Sequence, residues 1–346
     1  MLAKKSKVLV TGGAGYIGSH ACVELIQEGY EVVIVDNYQT SFPSTIDAIY
    51  ELTKKDVRVI QGDLQHPGFL DSVFEQTTFD AVIHFAGLKS AVESISDPLR
   101  YYENNVSGTI QLLTAMARWN LKTIVFSSSA AVYGAPNVLP LSEDHPMQAV
   151  SPYGRTKVFN ESILKDLYAA DNEWRIAILR YFNPIGAHQS GLMGERPKQV
   201  AANIMPSIIR VATGVEAQLT VCGDDYDTPD GTGVRDYVHV MDVAKGHVKA
   251  LQTLDSPQLF EINLGTGRGY SVKEVVQAFE SVSNRHIPLK FEARREGDVA
   301  VSYANTHRAR QVMGWEASKD LKNMCEDLWN FYEKTEKHYN AESKTS

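Results

Sequence analysis

The 346-residue chain has few cysteines: Cys22, Cys222 and Cys325, odd in number and far apart. That excludes a disulfide scaffold and a cysteine-ligated metal site, and it points to reduced packing residues of a cytoplasmic protein. Basic residues are the minority, 34 against 42 acidic, for a formal net charge of -8. A general affinity for nucleic acid or an anionic membrane surface is therefore not expected, although a local basic pocket for a phosphate is compatible with it. No apolar run approaches the ~18 residues of a membrane span, and the start MLAKKSKVLVTGG lacks the apolar stretch and cleavage site of a secretory leader. There is no internal repeat and no low-complexity linker. Hydrophobic content of 43% is ordinary for a globular protein, and the length suits two domains. The polar end 333–346, EKTEKHYNAESKTS, is expected to fray beyond a last helix.

Against these absences stands the segment KVLVTGGAGYIGSHACVELIQEGYEVVIVDN. Lys7 to Val10 suit a buried parallel strand. Gly12, Gly15 and Gly18 follow in the spacing G-x-x-G-x-x-G. Ala21, Cys22, Leu25 and Ile26 then recur at helical spacing up to Gly29, and EVVIVD forms a second strand ending at Asp36. Strand, glycine turn, helix, strand and acid in this order make a dinucleotide site. The glycines let the backbone turn sharply and approach a pyrophosphate at a helix N-terminus. Asp36 suits a ribose diol and repels a 2'-phosphate, and no arginine follows in DNYQT, so NAD is expected over NADP.

Further strands end at Asp63 (DVRVIQGDL), at Ala86 and Gly87 (FDAVIHFAG), and at Ser127, Ser128 and Ser129 (LKTIVFSSSA). Strands alternating with helical stretches predict an α/β fold with a Rossmann-type, doubly wound parallel sheet. Ligands on such sheets bind beyond the strand carboxyl ends, where these residues fall. After the serines comes SPYGRTK. Tyr153 and Lys157 are four apart and share one face of a helix. An ammonium ~6 Å from a phenol contributes roughly 3 kcal/mol at an effective dielectric of 20, or about two pKa units. A positive nicotinamide adds to this, so Tyr153 is expected near 7, a usable general base for an alcohol that loses hydride to NAD. Ser129 is placed to hydrogen-bond the same hydroxyl.

The glycine loop, the serine and Y-x-x-x-K resemble the extended short-chain dehydrogenases/reductases. VTGGAGYIGSH, VIHFAGLKSAVES, NNVSGT, FSSSAAVYG, SPYGRTK, RYFNPIGAH, DGTGVRDYVHVMD, NLGTG and RREGD together resemble the UDP-galactose (UDP-glucose) 4-epimerase family, from Val10 to Asp298. The resemblance implies oxidation at C4', rotation of the 4-keto sugar and hydride return to its other face, with NAD retained. Tyr153 becomes the base, Lys157 the residue that holds the ribose hydroxyls and tunes it, and Ser129 the partner of the 4'-hydroxyl. The implied NAD contacts are Gly12, Gly15, Tyr16, Ile17, Gly18, Asp36, Asn37, Asp63, Leu64, Phe85, Ala86, Gly87, Lys89, Asn104, Ser127, Tyr153, Lys157 and Tyr181. The implied UDP-sugar contacts are Lys89, Ser129, Tyr153, Tyr181, Phe182, Asn183, Asn203, Ile204, Cys222, Arg235, Tyr237, Arg295, Asp298 and Ser302. Arg235 and Arg295 suit a diphosphate, and Asp298 a uridine ribose.

Residues 1–182, with segments near 236–265 returning to them, are expected to form the NAD-binding domain, and 183–346 a smaller α/β domain for the UDP-sugar. The family implies a homodimer through long helices near Asn104–Trp119 and Tyr153–Tyr168. Ser302 stands where some members carry a bulky aromatic, which implies room for a 2'-N-acetyl group and hence for UDP-GlcNAc and UDP-GalNAc. The alternatives are a nucleotide-sugar 4,6-dehydratase or decarboxylase, disfavoured by Ala130 where those need an acid, and a UDP-sugar acid epimerase, for which no extra cation is evident. A third is a non-catalytic NAD-binding regulator, in which Tyr153 or Lys157 is commonly lost. His84 and His239 read as core histidines. GDDYDTPDGTG lacks the spacing of a calcium loop, so no metal is expected.

Overall fold

The computed structural model describes residues 6–135, 138–198, 203–295 and 298–342, with side chains to 335. Seven strands form the central sheet: β1 (Lys7–Thr11), β2 (Glu31–Asp36), β3 (Arg58–Gln61), β4 (Ala81–His84), β5 (Thr123–Ser129), β6 (Arg175–Tyr181) and β7 (Gln258–Leu264). Their spatial order is β7-β6-β5-β4-β1-β2-β3, and every neighbouring pair is parallel. Alternation along each strand splits the apolar residues between two cores. Val8, Val10, Ile34, Ile83, Val125 and Leu179 pack on one face of the sheet, and Leu9, Val33, Val35, Val82, Ile124 and Phe126 on the other. Both faces are covered by helices, which is why these strands read as unbroken apolar runs.

The chain leaves β1 toward β2 and β3, then crosses to β4, β5 and β6 on the other side. The order reverses between β1 and β4, which opens a crevice at their carboxyl ends. Residues 240–264 stay with this body: the helix Val240–Thr253 packs against Tyr16–Gln27, and β7 adds an edge beside β6.

A second lobe is built from the pairs Asn183–Ile185 with Tyr237–His239 and Leu219–Cys222 with Leu289–Glu292, and from a three-stranded sheet of Tyr270–Ser271, Val234–Arg235 and Val301–Ser302. Its core holds Ile185, Met205, Ile208, Val275, Phe279 and Trp329. Two expectations are corrected here. The last helix, Leu321–Glu342, does not fray at 333, because its first turns are anchored in that core through Met324, Cys325 and Leu328. Residues 343–346 lie outside the described residues. The expected helix from Asn104 to Trp119 is not uniform: Glu103–Ser107 form a π-helical turn before the regular helix Gly108–Arg118. Such turns re-aim side chains and are frequent at functional sites.

Candidate active site

The site starts at the glycine turn after β1. Gly12 has φ +71°, and a Cβ there would lie 2.6 Å from the Ala86 nitrogen, so the turn is pressed against the end of β4. The helix Tyr16–Gln27 follows with its N-terminus toward the crevice. A Cβ on Gly15 would meet only the Gly12 oxygen at 3.1 Å, so the other side of Gly15 is open to the close approach of a pyrophosphate. At the end of β2 the buried Asp36 accepts from the Ala14 nitrogen (2.9 Å), the Tyr38 nitrogen (2.8 Å) and the Ser41 hydroxyl (2.8 Å). Three of its roughly four lone-pair sites are used, and one on Oδ2 remains for a ribose hydroxyl. Asn37 donates to Asp63 at 2.9 Å, joining the ends of β2 and β3. Leu64 is buried in the core beneath them.

Phe85 and Ala86 both donate from their backbone to the Thr11 oxygen, at 2.9 and 3.1 Å, which holds the β4 loop against the glycine turn. Gly87 and Leu88 are fixed by a residue that the sequence reading missed, Asn105. It accepts from the Leu88 nitrogen (2.8 Å) and donates to the Leu88 oxygen (2.9 Å) and the Thr156 hydroxyl (3.1 Å). Asn160 in turn donates to the Asn105 oxygen (2.9 Å) and the Thr109 hydroxyl (3.2 Å). Thr109 touches His84 Nε2 at 2.9 Å, and His84 Nδ1 touches Thr11 at 2.7 Å. Burial, with Lys157 nearby, lowers the His84 pKa to about 3, so the ring is neutral. This buried network ties β1, β4 and the helix Pro152–Ala170 into one rigid body. Asn104 itself is half-buried on the π-helical turn.

The helix Pro152–Ala170 starts with Pro152 at its first position and Ser151 as N-cap, whose hydroxyl accepts from the Gly154 nitrogen at 3.1 Å. A Cβ at Gly154 would stand 2.7 Å from the Ala131 oxygen. The missing side chain lets the helix lie on the turn after β5, bringing Tyr153 within hydrogen-bond reach of Ser129. Lys157 is buried, donates to the Ser127 oxygen at 2.7 Å, and sits 6.0 Å from the Tyr153 ring centroid. Burial lowers the Lys157 pKa to about 8, opposed by the Glu161 carboxylate one turn on.

The expected fall of the Tyr153 pKa is corrected: in the protein alone it is raised. Burial of the phenol dominates, and the Ser129 hydrogen bond opposes it only in part. Desolvation of a phenolate in a site only 7% exposed was absent from the Coulomb argument.

Ser127 completes this corner, its hydroxyl 2.9 Å from His247 Nε2 and hydrogen-bonded to Tyr181. His247 packs against Phe85 with ring centroids 4.5 Å apart and a tilt of 41°, and burial lowers its pKa to about 4. Beneath the helix, Glu161 accepts from the Ser128 hydroxyl (2.5 Å) and from Arg180 through Nη2 (2.6 Å) and Nε (3.0 and 3.1 Å). Glu161 was not singled out in the sequence. Nor was its partner Arg180.

Across the crevice the second lobe presents Arg235 and Asp298, which pair with each other. Ser302 lies beside Arg235 in the neighbouring strand. Arg295 Nε donates to Cys222 Sγ at 3.2 Å. Asn183 and Asn203 are exposed, and Asn203 precedes the helix Ile204–Ala212 as its N-cap with Ile204 half-buried. Three further expected residues have partners within the protein. Tyr237 is buried in the second lobe's core, where burial raises its pKa to about 12. Phe182 packs with Val132, Tyr133 and Leu141. The Tyr16 hydroxyl donates to the Gly186 oxygen at 2.7 Å, so of Tyr16 and Ile17 it is the backbone at the helix start that faces the glycine turn. Lys89 reaches across to Glu195 at 2.6 Å, another partner the sequence did not reveal.

A family model described as GDP-mannose 4,6 dehydratase matches residues 9–328. A UDP-glucose 4-epimerase of Bacillus subtilis is 52% identical over 94% of this chain and 96% of its own. The human UDP-glucose 4-epimerase is 50% identical over 94% and 96%. The crystal structure of UDP-glucose 4-epimerase from Bifidobacterium longum in complex with NAD+ and UDP superposes with a TM-score of 0.93 at 46% identity, covering 96% of this chain and 99% of that one.

Proposed function

The chain belongs to the UDP-glucose 4-epimerase family of extended short-chain dehydrogenases/reductases, and from that premise we propose that it interconverts UDP-glucose and UDP-galactose with retained NAD. The observation that carries this reading is the meeting of Tyr153, Lys157 and Ser129 at the end of β5, facing the glycine turn of β1. The relatives' ligands, NAD and UDP, suit the two sides of the crevice.

Bound NAD supplies the hydride acceptor and a positive charge beside the Tyr153 phenol. The chain's own residues do the rest. The helix Tyr16–Gln27 and the Gly12–Gly15 turn offer backbone N–H groups to the pyrophosphate, while Asp36 accepts from a ribose. Lys157 has two N–H groups beyond the one given to Ser127, which suit the second ribose. Tyr153 exchanges the proton of the sugar 4'-hydroxyl, and Ser129 orients that hydroxyl. Arg235, Arg295, Asn183 and Asn203 hold the diphosphate, and Asp298 the uridine ribose. Binding exchanges the Arg235–Asp298 pair for ligand contacts at little cost, since a partly exposed pair contributes only ~0–1 kcal/mol. Firm grip on UDP with few contacts to the hexose leaves the sugar free to turn.

We assign residues 1–182, with 240–264, to the cofactor and the rest of 183–346 to the UDP-sugar; the return expected from 236 starts at 240, because Tyr237–His239 pair with Asn183–Ile185 in the second lobe. A 4,6-dehydratase is disfavoured, because Ala130 follows Ser129 where that chemistry needs an acid. The decisive test is proton NMR of UDP-glucose incubated with the protein. UDP-galactose at unchanged oxidation level is expected, and a 4-keto-6-deoxy product would refute the assignment. The small Ser302 supports a second activity on UDP-GlcNAc. In the same assay Ser302→Tyr should lower the UDP-GlcNAc rate relative to UDP-glucose by about tenfold or more, and an unchanged ratio would remove Ser302 from that role.

A homodimer is supported by the apolar side chains left exposed on and beside the two helices, among them Leu99 (78% exposed), Ile95, Phe159 and Ile110. Phe159→Glu should shift the protein to monomer in sedimentation velocity, and an unmoved dimer would place the interface elsewhere. The three free thiols fit a cytoplasmic setting. Among the described residues no helix is long and apolar enough to cross a membrane.

A further inference from the structure

The segment Glu195–Lys198 leaves the second lobe and crosses onto the first at the cofactor edge. Its root is fixed: the Tyr332 hydroxyl donates to the Glu195 oxygen at 2.9 Å, and Ala187 bridges Gly194. Three successive contacts then span the crevice. Glu195 pairs with Lys89. The Arg196 guanidinium lies 4.9 Å from the Phe42 ring centroid, with Nη1 3.5 Å from the Ser44 hydroxyl. Lys198 Nζ is also 4.9 Å from Phe42 and donates to the Tyr38 oxygen at 2.6 Å. Of these first-lobe partners Tyr38 and Phe42 belong to the loop after β2, and Ser44 opens the helix Ser44–Thr53 that follows it. Asp36 shapes the same loop from below, through the Tyr38 nitrogen and the Ser41 hydroxyl. Tyr38 has φ +56°, a left-handed conformation that a tyrosine adopts only when its surroundings hold it there.

We propose that Arg196 and Lys198 form a strap that clasps the Tyr38–Ser44 loop over the adenosine half of the cofactor and slows its exit. They are positioning residues: they act through Phe42 and the Tyr38 carbonyl on a loop whose other side is Asp36. A cofactor leaving this edge has to separate the strap from the loop, so the strap raises the barrier to release without touching the reacting atoms. The inference rests on NAD as the ligand of this edge. Each exposed cation–π contact contributes a factor of ~2–5, so loss of both with the Lys198 hydrogen bond should speed release roughly tenfold, equivalent to ~1.4 kcal/mol.

The test uses the whole chain loaded with NAD and cleared of free cofactor. Released NAD is trapped by an added dehydrogenase and followed in time. The double variant Arg196→Ala/Lys198→Ala and the single variant Phe42→Leu should release NAD about tenfold faster, with an unchanged unfolding midpoint. The exchanged pair Arg196→Lys/Lys198→Arg should restore retention. Backbone amide exchange of residues 38–44, measured without cofactor, should also accelerate in the two loss variants. Release and amide exchange both at the wild-type rate would overturn the strap. A wild-type protein that retains no NAD at all would instead refute the cofactor reading, and the amide exchange would still decide the strap.

Discussion

Tyr153→Phe is expected to lower epimerase turnover by roughly 10²- to 10⁴-fold, the usual contribution of a positioned proton-transfer group. The substitution keeps the ring, which packs with Leu88 and Tyr101, and removes only the hydroxyl that Ser129 addresses. Retained NAD and the unfolding midpoint should therefore stay near wild type, which separates loss of chemistry from loss of structure. Burial raises the phenol's pKa in the protein alone, so the base form is favoured as pH rises. Wild-type turnover should climb with pH through the neutral range, toward about 8, where half of Lys157 has lost its charge. Tyr153→Phe should flatten that climb. Rates of both proteins measured from pH 6 to 9 check this, and undiminished turnover of Tyr153→Phe would remove Tyr153 from the chemistry.

Arg180→Ala should destabilise the fold by about 3–5 kcal/mol, because it strands a charge in the interior. Glu161 and Arg180 have side chains 0% and 1% exposed, and Arg180 also donates to the Tyr133 hydroxyl (3.0 Å) and the Glu143 oxygen (2.9 Å). Removal of the guanidinium leaves the Glu161 carboxylate with only the Ser128 hydroxyl among its side-chain contacts described above. The double variant Glu161→Gln/Arg180→Met, which neutralises both partners, should recover a large part of that loss. Urea unfolding of the three proteins reads the difference. A cost below ~1 kcal/mol for Arg180→Ala, the range of an exposed pair, would mean that no charge is stranded in the interior. Glu161→Gln alone should lower the Lys157 pKa further, since its charge is the group that opposes burial there. The rise of turnover with pH should then level off at lower pH, read from the same rates between pH 6 and 9.

The local features were written in the sequence, because they depend on neighbours along the chain. The glycine spacing after Val10, the apolar runs of β1, β2 and β4 and the four-residue step from Tyr153 to Lys157 are all short-range patterns. Parallel topology followed from strands alternating with helices, and the edge that gathers the site followed from that topology. Motif resemblance carried the expected residues of the second lobe, although no spacing rule joins Arg235 to Asp298.

Only the tertiary structure decided the rest, since it turns on what is buried and on contacts between distant segments. Arg180 meets Glu161 across 19 positions, Lys89 meets Glu195 across 106, and Lys198 meets Tyr38 across 160. None of these pairs leaves a periodic signal. Asn105 and the π-helical turn that carries it are equally silent, because a polar residue in a helical stretch reads as solvent-facing until its partners are known. The direction of the Tyr153 shift belongs here too. Charge and spacing were legible in SPYGRTK, but desolvation is set by everything packed around the phenol, and in this fold it dominates, opposed only in part by the Ser129 hydrogen bond.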